Sequence, residues 1–204
     1  MMEPKDAQAA LGFRAHSGWA AAIALAESGK TLVVLERLRI ELADPRVKGF
    51  PQPYHAAEPL PLSEARKLIE ECVAASGRLA LTGIRAVIEN LRKRGHEAVA
   101  CGLVTGSGRP LPPLEGVLAS HALIHTAEGV MFREALQRAA EVVHLLVRPV
   151  KEREAYEEAA RVLSIDVSEI RGRLAVAGKS AGPPWKEDQK LAALAAWMAL
   201  RERR

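Results

Sequence analysis

Two histidines and a glutamate share one short segment, Ser120-His121-Ala122-Leu123-Ile124-His125-Thr126-Ala127-Glu128-Gly129. On a helix, His121, His125 and Glu128 fall at i, i+4 and i+7 and share one face. Two imidazoles one turn apart can bind one divalent metal, and a carboxylate a further turn on can serve as ligand or base. The helical zinc-protease motif is not complete, because Ala122 stands where that motif has its Glu. The alternatives are structural hydrogen bonds beside a sheet, or a polar binding site without metal. The metal set read here is His121, His125 and Glu128, holding Mg, Mn or Zn, with His125 and Glu128 as catalytic groups.

Three further segments concentrate polar chemistry. Gln52-Pro53-Tyr54-His55-Ala56-Ala57-Glu58 lies among prolines, and His-x-Ala-Glu recurs at 55–58 and 125–128. A His and a Glu three apart can hydrogen-bond and fix a tautomer. Such a loop is either solvated surface or a cover over a site, and Tyr54 and His55 are its substrate-facing candidates. In Arg14-Ala15-His16-Ser17-Gly18-Trp19, cationic, imidazole and hydroxyl groups meet a small-residue turn, which suits an anion. A tight hairpin with Gly18 at positive φ is the plain alternative. In Gly182-Pro183-Pro184-Trp185-Lys186-Glu187-Asp188-Gln189-Lys190, Trp185 can stack on a ring, Asp188 can bind metal or act in catalysis, and Lys190 can meet phosphate. Acids in the first turn of a helix also suit its dipole without further purpose. Arg37, Arg39 and Glu41 read as a solvated ladder along one strand face.

These segments need elements to hold them. The spacing predicts strands at 11–14, 19–26 and 31–42, joined by a turn at 16–18 and another at 27–30. Residues 44–61 contain six prolines and glycines and read as loop. A helix follows from Ser63 to Gly95, with Gly77 and Gly83 as candidate breaks. Residues 98–104 form a buried strand, 106–113 a loop, and 114–142 a helix interrupted near Gly129. A fifth strand is expected at 143–147 and helices at 151–163 and 167–176. The last helix carries Leu191, Leu194, Ala195 and Met198 on one face, with Arg201, Arg203 and Arg204 at its end. The order βββαβαβα implies an α/β fold with a mixed sheet and helices on its faces. Residues 1–8 read as a loose N-terminus and 9–204 as a single domain.

Composition narrows the class. The 204 residues carry 29 Lys+Arg and 25 Asp+Glu, a net charge of +4, too small to announce nucleic-acid binding. Aromatics make up only 4%, so Ala, Leu and Val must fill the core. Disordered and fibrous classes are excluded. The two cysteines, Cys72 and Cys101, sit in apolar runs and read as reduced, buried hydrophobes, so the cytoplasm is the expected compartment. Residues 11–26 are interrupted by Arg14, His16 and Ser17, so no membrane span is expected.

The element order resembles the ribonuclease H-like superfamily, which includes the Holliday-junction resolvases and shares its core with actin-like ATPases. Leu11-Gly12-Phe13-Arg14-Ala15-His16-Ser17-Gly18-Trp19-Ala20 resembles the first hairpin of those families. Residues 120–148 resemble the resolvase helix and fifth strand, and Asp188-Gln189-Lys190 resembles the acidic C-terminal helix. The resemblance implies a phosphodiesterase with two divalent metals held by carboxylates, the first an Asp on the first strand. Arg14 stands there in this chain, residues 99–104 carry no acid, and only Asp188 corresponds to a family acid. Three functions follow as expectations. The first is a metal-assisted hydrolase acting on a phosphodiester or nucleic acid, with His125, Glu128 and Asp188 catalytic and Arg14, His16, Ser17, Tyr54, His55, Trp185 and Lys190 holding substrate. The second is a nucleotide- or anion-binding module without the metal acids. The third is an interaction protein that forms a homodimer.

Overall fold

A computed structural model describes residues 7–106 and 110–203. Residues 1–6 of the loose segment expected at 1–8, Ser107, Gly108 and Arg109 of the glycine-containing loop, and Arg204 lie outside the described residues.

Strands β1 (Ala7–His16), β2 (Trp19–Ser28) and β3 (Thr31–Glu41) form an antiparallel meander. Gly18 turns the first corner at φ 83°, a conformation that L side chains rarely adopt. Its carbonyl accepts from Leu42 N at 2.8 Å and Ala43 N at 3.0 Å, tying the end of β3 to the first turn. Ala7 and Gln8, expected in the loose terminus, already pair with β4 (His96–Thr105). β4 and β5 (Leu146–Lys151) run parallel to β1, giving the sheet order β3-β2-β1-β4-β5. This is the mixed α/β sheet implied by the element order.

Helices cover both faces. On one side lie α1 (Pro53–Ala57), α2 (Leu62–Lys93), α3 (Leu114–Leu118) and α4 (His121–Val142). Leu11 and Phe13 of β1 and Cys101 and Leu103 of β4 point into this layer, against Ile84, Leu91, Phe132 and Leu136. A 3-10 turn (Glu152–Glu154) then leads into α5 (Ala155–Leu163), α6 (Val167–Ala181) and α7 (Glu187–Glu202). These helices share the second core with Ala10, Ile23, Leu25 and Val104, the alternate strand residues. Asp166 caps α6 by accepting from Glu169 N at 2.8 Å.

Several boundaries differ from expectation. Gly77 and Gly83 do not break α2, which runs unbroken for 32 residues. Gly83 lies under Ile40, where a Cβ would stand 2.7 Å from Ile40 Cγ2, so close contact with the sheet compensates its low helix propensity. The break before α4 falls at Ala119–Ser120, not at Gly129. β5 begins at Leu146 because α4 persists to Val142 and His144 turns the chain at φ 61°. The proline-rich stretch holds a short helix, α1, with Pro53 in its first turn, where the missing N–H is not needed.

Helix α7 sits unusually near the sheet. Gly12 and Gly102 are register partners on β1 and β4. A Cβ at Gly12 would overlap the carbonyl oxygen of Ala192, and one at Gly102 that of Ala195. Both obstacles are backbone, so neither can swing away. Gly12→Ala should therefore lower stability by about 2–3 kcal/mol. Gly77→Ala, with nothing within 4 Å of the new methyl, should raise it by about 1 kcal/mol. Urea unfolding of the two variants beside the parent checks both signs.

Candidate functional site

The first polar group is built from α1 and α4. Helix α4 starts at His121, one turn before His125, and their Nε2 atoms lie 3.1 Å apart. At that distance either the Nε2–H of one neutral imidazole donates to the lone pair of the other, or both lone pairs face a shared ion. The short α1 brings in His55, whose ring centroid is 5.1 Å from that of His121 and 4.6 Å from that of His125. One ligand nitrogen from each of His55, His121 and His125 lies within 4.8 Å of the others. Tetrahedral Zn–N bonds place ligand nitrogens about 3.4 Å apart, so small side-chain rotations close this set on an ion.

Glu128 lies behind these histidines at 2% exposure. Its Oε1 is 2.9 Å from His55 Nδ1 and 3.4 Å from the His55 backbone N, and both groups donate to it. With Nδ1–H engaged, the lone pair of His55 is on Nε2. This is the carboxylate–histidine relay that orients metal ligands in proteins. The burial of this carboxylate is offset by the two donors of His55. Tyr54 and Ala57 anchor α1: Ala57 packs on Ala65, Leu68 and Ile69, and Tyr54 against Val117, Ile124 and Ala127. Burial raises the Tyr54 pKa above its usual value, keeping the hydroxyl protonated.

The second polar group lies on the α7 face of the sheet. Arg14 near the end of β1 donates to Asp188 in the first turn of α7, and to Glu152 Oε1 at 2.7 Å. His16 Nε2 is 3.0 Å from Asp188 Oδ1. Burial, and then the Arg14 charge, push the His16 pKa below its usual value, so neutral His16 donates to Asp188. The His16 ring stacks on Trp19 at 4.4 Å and 14°, and the Arg39 guanidinium sits 4.4 Å from the Trp19 ring. A divalent ion on Asp188 and Glu152 would have to displace Arg14.

The structure thus divides what the sequence joined. Asp188 is not in the histidine group; β1 alternation and the seat of α7 carry it to Arg14 and His16. Arg14 is committed to two carboxylates and is no free anion receptor. His55 stands with the metal candidates instead of in a cover loop, and Glu128 stands behind the ligands instead of among them. Tyr54 is half-buried and packs as part of the α1 anchor. Trp185 is half-buried and packs on Gly178, which has no Cβ to block it. The nearest acid to Lys190 is Glu187, at 3.9 Å. Ser17 is exposed in the first turn. Arg37 donates to the carbonyl of Pro184 at 2.8 Å and also to that of Gly182, holding the α6–α7 connection instead of standing solvated. Arg133 on α4 is a further polar residue of this face. Its signal is spacing: His125, Gly129 and Arg133 recur every fourth residue along one helix face.

No protein-family model matches the chain, and no curated protein sequence matches it. Solved structures do match. The Thermus thermophilus RuvC structure aligns with TM-score 0.52 at 12% identity, over 96% of this chain and 95% of that one. T. thermophilus RuvC in complex with Holliday junction substrate aligns with TM-score 0.54 at 12% identity, over 93% and 91%. The shared feature is the five-stranded mixed sheet between two helical layers. The chain has the ribonuclease H-like fold of the RuvC resolvases.

Proposed function

We propose that the protein is a metal-assisted hydrolase whose ion is held by His55, His121 and His125 and not by carboxylates at the end of β1. One observation carries this reading. Three imidazoles from two helices converge with ligand atoms within 4.8 Å of one another, and a buried glutamate orients one of them. His121 and His125 are exposed, so three protein ligands leave a position open to water or substrate. That is the pattern of catalytic rather than structural zinc sites. A Zn2+-class ion in such a set lowers the pKa of bound water to about 7 and polarises an ester oxygen. The chain's own part is geometric and electrostatic. His121 and His125 present Nε2 from adjacent turns, Glu128 holds the His55 tautomer, and the α1 anchor fixes His55 against α4.

The RuvC relative of the same fold is described with a Holliday junction substrate. This supports a phosphodiester, in nucleic acid or a smaller ester, as the substrate class. The anion-module reading relied on a free Arg14, and the pairing of Arg14 with Asp188 and Glu152 removes that support.

Purified protein dialysed against Zn2+ should retain about one ion per chain. Its Co2+ form should show the intense visible bands of a tetrahedral site. His125→Ala and His55→Ala should lose the ion and the bands, whereas His144→Asn, at an exposed position of positive φ, should keep both. Equal loading of all four proteins, or no loading, would overturn the tri-histidine reading. Glu128→Gln keeps the size of the side chain but removes its charge, and should weaken metal affinity about 10–100-fold. Competition with a chelating dye measures this. Hydrolysis of bis(p-nitrophenyl) phosphate and of a four-way DNA junction, each with and without chelator, reads the activity. A loaded protein inert toward both esters would make the centre a binding site only.

A further inference from the structure

Arg133 lies two turns beyond His125 on the same face of α4. Long helical side chains lean toward the helix N-terminus, and this one folds back over Gly129. Its Nη1 is 3.0 Å, and its Nη2 3.5 Å, from where a Cβ on Gly129 would stand. Nη2 is also 3.7 Å from where a Cβ on Gly106 would stand, at the end of β4. Glycine at 129 therefore makes room for the guanidinium to lie against the helix, about 6 Å along the axis from His125.

This half-buried cation has no hydrogen bond or ion pair among the described residues. The acids around it are engaged elsewhere. Glu152 accepts from Arg14 at 2.7 Å, Glu134 from Arg138 at 2.8 Å, and Glu128 from His55 at 2.9 Å. Burial lowers the Arg133 pKa from its usual value, as expected for a desolvated charge with distant compensation. A half-buried guanidinium without a partner is costly. Its planar fork of donors matches the oxygens of a phosphate.

We propose that Arg133 is the phosphate receptor of the tri-histidine centre, so that one phosphoryl oxygen faces the ion while others lie in the Arg133 fork. The inference rests on the reading of His55, His121 and His125 as metal ligands, and it fixes the ligand as a phosphate ester. Arg133 is a positioning residue for the reacting phosphorus. The phosphate is that of a nucleic-acid backbone or of a free nucleotide. Beyond Gly106 a cleft of ≈ 550 Å³, lined also by Thr105, Lys151, Glu152, Arg153 and Glu154, gives the rest of such a ligand space.

Calorimetric titration with inorganic phosphate, on Zn2+-loaded and on metal-free protein, tests the proposal. Loaded wild type should bind phosphate, and Arg133→Ala should weaken that binding at least tenfold with metal content, Co2+ spectrum and melting temperature unchanged. Arg133→Lys should recover part of the affinity, because it restores the charge without the fork. Gly129→Ala should weaken binding by displacing the guanidinium while favouring the helix. Adenosine monophosphate and the dinucleotide TpT separate the two phosphate sources, and tighter binding of TpT assigns the backbone. Phosphate affinity indifferent to Arg133, or absent in the loaded protein, would overturn the proposal. Acetate binding as tightly as phosphate would overturn the ligand class. If no metal loads, the tri-histidine reading falls separately, and Arg133-dependent phosphate binding by the metal-free protein still decides the role of Arg133.

Discussion

The seat of α7 on Gly12 and Gly102 is the constraint from which the rest of the arrangement follows. Two adjacent strands present hydrogen atoms where every other residue type presents carbon, and the helix backbone descends into that space. Residues 191–200 are consequently buried all round, most of them alanines and leucines. This explains how a chain with few aromatics fills its interior: it shortens the distance between layers instead of enlarging the side chains. The same contact fixes the first turn of α7 over the end of β1, where Arg14 and His16 meet Asp188.

The two polar groups on either side of the sheet have opposite electrostatics. In one, acids from α7 and the 3-10 turn surround a guanidinium, and the charges are satisfied within the protein. In the other, imidazoles face each other at hydrogen-bond distance in front of a buried carboxylate, with no guanidinium or ammonium among the described residues paired to the group. Two unit charges 4 Å apart interact by about 4 kcal/mol at an effective dielectric of 20. Neutralisation of that order sets the first group against a divalent ion, which would have to displace Arg14. A ribonuclease H-like sheet here carries its candidate metal centre on a helix of the opposite layer, and Arg133 lies between that centre and the strand ends.

The antiparallel meander, the later strands and the Ala-rich last helix were legible because alternation and turn residues report burial locally. His121, His125 and Glu128 were legible as one face because helical spacing is a local property. The integrity of α2 across Gly77 and Gly83 was not legible, since Ile40, which occupies the space at Gly83, comes from a distant strand. Nor was α1, where prolines suggested loop but Pro53 occupies the one helical turn that tolerates it. The role of His55 depended on α1 docking through Tyr54 and Ala57, and the separation of Asp188 from Glu128 depended on which side of the sheet each helix covers.

By itself the sequence determined the residue types and their local periodicities: which strands form, which histidines lie one turn apart, and that Arg14 stands where a family acid is expected. Only the tertiary structure decided which of those residues share a site. Ligand sets and ion pairs need atoms within a few ångströms, and residues 73 and 174 positions apart, as in His55–Glu128 and Arg14–Asp188, meet only where helices and strands converge. It also decided their roles, because Glu128 became a buried partner of His55 through its depth on α4, and Arg133, unpaired among the described residues, lies against the helix because Gly129 has no side chain.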